Sequence, residues 1–430
     1  MSNATATEDW LRLDNAAKIY PATRHDAAPA VFRVSVTLRQ PVRARTLQDA
    51  LGAVMERVPY YRVHLRRGFF WYYLQRHTEP VRLAPLPAAP VVTPIMLHRR
   101  GEQLLHVYAH GATVAADFSH VLTDGYGAMR FLGSLIVDYL RRLGEPVEPG
   151  ALLMRPEEPV PDAEFEDAFQ EHYRHGVPGA PDLEPAYHLP GVPLMNRYRT
   201  VTAQMPVDVT LQTARRYGAT LTEYLVAAYM NAIKAAFDEQ AAGLLKPRHR
   251  IIRIEVPVNM RRIHPSQTMR NFSLFVSPEI DLGLGEWSFE RIVRRVHHQM
   301  NIQLDPAELS RQISRNVGGE RSSFVRVVPR AAKDLYLSHL RRTIGDRSYS
   351  GVVSNLGRFI LPDGLEPYVE SAGVVLGPNA AYKTGCAVIS YANNLSITIG
   401  SVIEDRTVER EFFRKVAADG VDILVSESDS

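Results

Sequence analysis

The chain has 430 residues, 45% apolar and 23% charged, with 27 glycines and 29 prolines. This excludes wholesale disorder and collagen-like or low-complexity classes, and leaves material for two or three domains or one large two-part unit. Lys and Arg number 50 against 47 Asp and Glu, a net charge of +3, so overall charge gives no reason to expect nucleic acid or an anionic membrane as the main partner.

The single Cys386 excludes an intramolecular disulfide framework and a Cys-based zinc site, which fits a reducing, cytoplasmic setting. Residues 1–9 lack the basic start and apolar run of a secretory signal, and no stretch approaches 18 uninterrupted apolar residues, so no transmembrane segment is expected.

Residues 10–21 show no strong periodicity. Phe32, Val34, Val36 and Leu38 alternate with polar residues, the period of a half-buried strand. Leu47, Ala50, Leu51, Val54, Met55 and Val58 recur at helical spacing, with Thr46 as N-cap and Asp49 at N3. The aromatic run Phe69 to Tyr73 has only Arg66 and Arg67 as nearby basic charge and reads as a buried strand through Leu74, not a base-stacking platform. Leu104 to Tyr108 and Thr113 to Phe118 are further strands. A helix from about Gly127 to Leu143 carries one apolar stripe.

Composition then changes. Residues 145–193 hold ten prolines and eleven acidic residues with few aliphatics. Proline forbids regular pairing, so the segment reads as a linker without a packed face. The expected organisation is an N-terminal half (1–145), a Pro-rich acidic crossing linker (146–194) and a C-terminal half (195–430). In the last, Thr220 and Glu223 form a capping box opening a helix to Phe237, Ile251 to Val258 is a buried strand, and Ala387 to Ser401 a hairpin. Residues 426–430 read as a solvated tail.

The stretch richest in chemistry is Asp117-Phe118-Ser119-His120-Val121-Leu122-Thr123-Asp124-Gly125, between a strand and a strong helix. Neutral imidazole, with an ordinary pKa near 6.5, can take a proton from a hydroxyl or amine around pH 7. Of 15 histidines, only His120 has Asp four residues on. HxxxDG in this context resembles the CoA-dependent acyltransferase superfamily, which includes chloramphenicol acetyltransferase, alcohol acetyltransferases and the condensation domains of peptide synthetases. Arg12-Leu13-Asp14-Asn15, Pro257-Val258-Asn259-Met260-Arg261 with Asn271-Phe272, and Ser354-Asn355-Leu356-Gly357 carry the same resemblance. Ser119 replaces the first histidine of the fuller motif, and no DFGWG box is present.

The resemblance implies an α/β fold of two chloramphenicol acetyltransferase-like halves, each a mixed sheet flanked by helices, with a central tunnel. It implies His120 as general base, Asp124 as a structural brace pairing with Arg261, Gly125 in a backbone role, Ser354 or Asn355 as oxyanion donor, and Asn271 as structural. No bound cofactor or metal is implied. The co-substrate is a CoA or phosphopantetheine thioester, so the partners are acyl-CoA or an acylated carrier protein and a small alcohol or amine. The leading expectation is acyl transfer to an alcohol without an acyl-enzyme. The alternatives are an amide-forming stand-alone condensation-type enzyme and a non-catalytic carrier-protein docking module. A metallohydrolase built on His106 and His110 is a distant third.

Overall fold

The computed structural model describes residues 9–429 apart from 23–29, 86–91, 98, 180, 182, 196, 244–246, 322–324, 326, 341–344 and 346. The N-terminal part runs β1 (Trp10–Arg12), α1 (Ile19–Ala22), β2 (Val31–Leu38), α2 (Ala44–Arg57), β3 (Val63–Arg67), β4 (Tyr72–Arg76), β5 (Leu83–Pro85), β6 (Leu105–His110), β7 (Thr113–Ser119) and α3 (Gly125–Arg142). After the short α4 (Ala168–Glu171) come β8 (Arg199–Pro206), α5 (Val207–Arg216), α6 (Leu221–Ala242), β9 (Ile251–Asn259), β10 (Ser273–Val276), β11 (Glu279–Asp281), α7 (Phe289–Gln303) and α8 (Pro306–Arg321). The chain ends with α9 (Arg330–Leu340), β12 (Gly351–Arg358), β13 (Val369–Leu376), β14 (Thr384–Tyr391), β15 (Asn394–Ser401), α10 (Thr407–Ala418) and β16 (Leu424–Asp429).

Two large mixed sheets, each with helices packed on it, make the two halves. The first has the order β13-β2-β7-β6-β5, so its β13 edge comes from the far end of the chain. The second has the order β10-β9-β12-β14-β15-β8-β16, with β11 also on β9. A small β1-β4-β3 sheet flanks the first. Successive side chains of a strand point to opposite faces, and β14 uses both. Ala387, Ile389 and Tyr391 enter the N-terminal core, while Cys386 and Val388 enter the C-terminal one.

The long helices follow from their apolar stripes. α3 buries Ala128, Phe131, Leu132, Leu135, Ile136 and Tyr139 against the first sheet. α6 opens with the expected capping box: Thr220 Oγ1 accepts from Glu223 N, and Glu223 Oε2 accepts from Thr220 N.

Four expectations need correction. α2 starts at Ala44 after Arg43, with no side-chain cap, so Thr46 lies inside the helix. The strand expected from Phe69 begins only at Tyr72, and Phe69 and Phe70 are exposed at the β3–β4 tip. The supposed solvated tail forms β16, paired antiparallel with β8. The linker also packs. Leu153, Met154 and Phe165 join the N-terminal core, Tyr187 and Leu189 the C-terminal one, and Phe169 a small third cluster with Phe272. Its Glu164, a charge buried at some cost, is matched by both Arg57 Nη groups at 2.8 Å and by Tyr60 OH at 2.7 Å. Residues 1–8 of the expected frayed start lie outside the described residues.

Candidate active site

His120 stands one residue beyond β7. Its amide donates to Ala30 O at 2.7 Å, extending the β2–β7 ladder by one bond, so its side chain leaves the end of the sheet. The ring lies 4.5 Å from the Phe32 ring and stacks on Tyr20 at 5.4 Å, 18° from parallel. Desolvation pushes its pKa down to about 4, against the opposing effects of the Asp124 charge and of hydrogen bonds to the Thr123 backbone and the Asn271 side chain. The residue is nevertheless only half-buried, so solvent reaches it. A neutral imidazole thus stands ready in the interior at pH 7.

Asp124 sits in a saturated polar nest. Its Oδ1 accepts from Gly127 N at 3.2 Å, capping α3. Its Oδ2 accepts from Arg261 Nη1 at 2.8 Å, Phe272 N at 2.8 Å and Ser273 Oγ at 3.1 Å. Burial, the largest influence, would raise the carboxyl pKa; the Arg261 charge and hydrogen bond, with the Phe272 and Gly127 amides, outweigh it and hold it below the usual range. Arg261 is equally occupied. It donates to Thr268 O and Arg270 O at 2.9 and 2.6 Å, and its guanidinium lies 4.6 Å from the Tyr126 ring centroid. One side chain from each half therefore meets in a buried ion pair.

Asn271 fixes the histidine backbone: its Nδ2 donates to His120 O at 2.9 Å and to Asp14 Oδ2 at 3.0 Å. Asp14 also accepts from Ala17 N at 2.7 Å through Oδ1, which ties the segment bearing Tyr20 to the site. Sequence reasoning noted Asp14, with Tyr20-Pro21, only as part of the opening motif and Phe32 only as a strand residue, and missed their contacts around His120. Their signal was proximity across the fold, which spacing does not carry.

Ser354 and Asn355 lie on β12, whose Leu356 abuts α3. A Cβ on Gly125 would come within 2.3 Å of Leu356 Cδ2. Gly125 does not take a left-handed turn; the neighbouring leucine explains it. Gly127 is tighter, since a Cβ there would fall 2.5 Å from Met269 O and 2.2 Å from Thr123 Oγ1. The Asn355 amide is engaged, its Nδ2 donating to Thr222 Oγ1 at 2.9 Å and its Oδ1 accepting from Gly357 N at 2.9 Å. Gly357 sits at φ +77° in the irregularity between Asn355 and Arg358.

His106 and His110 both lie on β6, where a four-residue offset is about 13 Å, too far to share one ion. Among the described residues no three His, Cys, Asp or Glu converge as a metal site. An open recess of about 430 Å³ is lined by Tyr173, His175, Gly318 and Arg321, and a cavity of about 20 Å³ lies beside Tyr198 and Lys383. Neither includes His120.

No protein-family model and no curated protein matches the sequence. Solved structures do match in fold. Polyketide synthase associated protein 5 from Mycobacterium tuberculosis is 14% identical at a TM-score of 0.63, over 95% of this chain and 97% of that one. The trichothecene 15-O-acetyltransferase TRI3 from Fusarium sporotrichioides is 11% identical at 0.59, over 97% and 96%. The starter condensation domain of rhizomide synthetase, solved as a mutant in complex with C8-CoA, is 16% identical at 0.56, over 98% and 99%. The chain shares the fold of these proteins, among them an acetyltransferase and a condensation domain.

Proposed function

We propose that this chain transfers an acyl group from a thioester, acyl-CoA or an acylated carrier protein in the cytoplasm, to the hydroxyl of an alcohol. The observation that carries the reading is His120: a neutral imidazole on a half-buried residue between the halves, its backbone held by Asn271 and its turn by the Asp124–Arg261 pair. The ring takes the hydroxyl proton as the oxygen attacks the thioester carbonyl, a step worth about 10²–10⁴ in rate. The tetrahedral oxyanion is met by Ser354; Asn355, with its amide already spent, supports the strand. Collapse expels the thiolate, which recovers the proton from the imidazolium. No acyl-enzyme forms, and holding both reactants in one passage supplies the proximity term. Asp124, Arg261 and Asn271 act as positioning residues.

The test is thiol release from an acyl-CoA in the presence of an alcohol, wild type against His120→Ala, with the product weighed by mass spectrometry. A loss of about 10²-fold or more supports the reading. Equal rates would leave only the docking-module function, and product with amines alone would identify an amide-forming enzyme.

A further inference from the structure

The tip between β3 and β4 turns its aromatic residues outward or along the surface. Phe69 is 73% exposed, Phe70 is exposed beside it, and their rings meet edge-on at 4.8 Å. Helix α9 packs along this tip through Arg330 and Lys333, and elsewhere on its surface carries Leu335, 74% exposed, and Tyr336, 64% exposed. An exposed aromatic pair of this kind marks an interaction site.

Its carbonyls are already satisfied. Gly68 N donates to Trp71 O at 2.9 Å, Arg330 N to Phe69 O at 2.9 Å, Arg330 Nε to Gly68 O at 3.1 Å and Lys333 Nζ to Phe70 O at 3.1 Å. The tip therefore brings no orphaned carbonyl to a membrane boundary, where the headgroup oxygens can accept from its amides. Its charge is one-sided. Arg67 is exposed and Arg66 half-buried, bonded to Gln75, while the carboxylate of Asp334 is neutralised by Arg330 at 2.6 Å and bonded by Tyr72 OH. The whole-chain charge of +3 hides this local excess. Exposed aromatics flanked by arginine match the boundary of an anionic bilayer.

The corner also lies close to the reactive ring: α9 packs against α1, and Tyr20 of α1 stacks on His120. We propose that the β3–β4 tip and α9 dock this protein on an anionic phospholipid surface and deliver a lipid-dissolved alcohol to the His120 side. The delivery rests on the acyl-transfer reading; the docking does not.

The experiment is co-sedimentation of the full chain with phosphatidylcholine vesicles, with and without phosphatidylglycerol, for wild type, Phe69→Ser/Phe70→Ser and Arg66→Gln/Arg67→Gln. Binding should require phosphatidylglycerol, weaken with salt, and drop about tenfold or more in the Phe variant and severalfold in the Arg variant. Thiol release with a soluble alcohol should stay at the wild-type rate in both. The proposal is overturned if wild type ignores the vesicles, if the Phe variant binds as well, if single-stranded nucleic acid is retained instead, or if the Phe change merely dissociates a dimer. Vesicle binding without any thiol release would sink the acyl-transfer reading and leave the docking standing.

Discussion

At His120, the low proton affinity has consequences in two directions. Because the native imidazole titrates near 4 rather than 6.5, the base form persists through mildly acid solution. The acid limb of kcat/KM should therefore fall well below pH 6.5, and a limb at 6.5 or above would contradict the desolvated site. The same shift acts on stability: between 6.5 and about 4 the unfolded chain takes up a proton that the native ring refuses, so the native state loses stability as pH falls through that window. Asp124 adds a loss of the same sign at lower pH: its depressed carboxyl contributes stability that is lost as pH falls below the ordinary carboxylate range. Asp124→Asn keeps the α3 cap but strands the Arg261 guanidinium, and should lower unfolding free energy by about 3 kcal/mol or more, read as a shifted urea midpoint at unchanged slope. The family resemblance carried by HxxxDG and by Pro257-Val258-Asn259-Met260-Arg261 made this pair legible in the sequence. Asp14 was not, because its partner is 257 positions away and reached only through the fold.

Helices were the readable elements, since an apolar stripe such as that of α3, or the Thr220–Glu223 box of α6, is a local signal. Strands such as β13 were not: its alternation is broken by Gly373, and what makes it a strand is pairing with β2 far upstream. β16 likewise exists because β8 offers it an edge. Glycines inside helices show how tertiary contact reverses local propensity. Gly52 of α2 has nothing within 4 Å of a would-be Cβ, so Gly52→Ala should stabilise by about 0.5–1 kcal/mol. Gly127 of α3 has the Met269 carbonyl at 2.5 Å, and Gly127→Ala should destabilise by about 1–3 kcal/mol despite the same gain in helix propensity. Urea midpoints moving in the same direction for both would show that the α3 contact yields freely.

Across the molecule the halves are tied by more than the polar pair at Asp124. The first sheet draws its β13 edge from residues 369–376, and its core draws Ile389 and Tyr391 from β14, a strand whose other face serves the second core. Glu164 of the linker is bonded from the N-terminal side by Arg57, and its carbonyl accepts from Met269 N on the other at 2.6 Å. Cutting at the linker would thus expose the β2 edge and open a cavity where Ala372, Val374, Ile389 and Tyr391 had packed. Lost core side chains cost about 2–5 kcal/mol each, which together exceed the 5–15 kcal/mol that holds a domain folded. Residues 1–194 expressed alone should therefore fail to fold, showing no cooperative urea transition. The intact chain should melt in one calorimetric step. Two separable transitions, or a soluble cooperative fragment, would mean that β13 and β14 merely decorate a self-sufficient first half. The placement of His120 between the halves makes this matter for chemistry: β13 pairs with β2 as far as Phe32, whose ring touches the imidazole. Loosening that edge should abolish turnover before the rest of the fold is lost, which a parallel assay of activity and far-ultraviolet dichroism along a urea series would register as an earlier midpoint for activity.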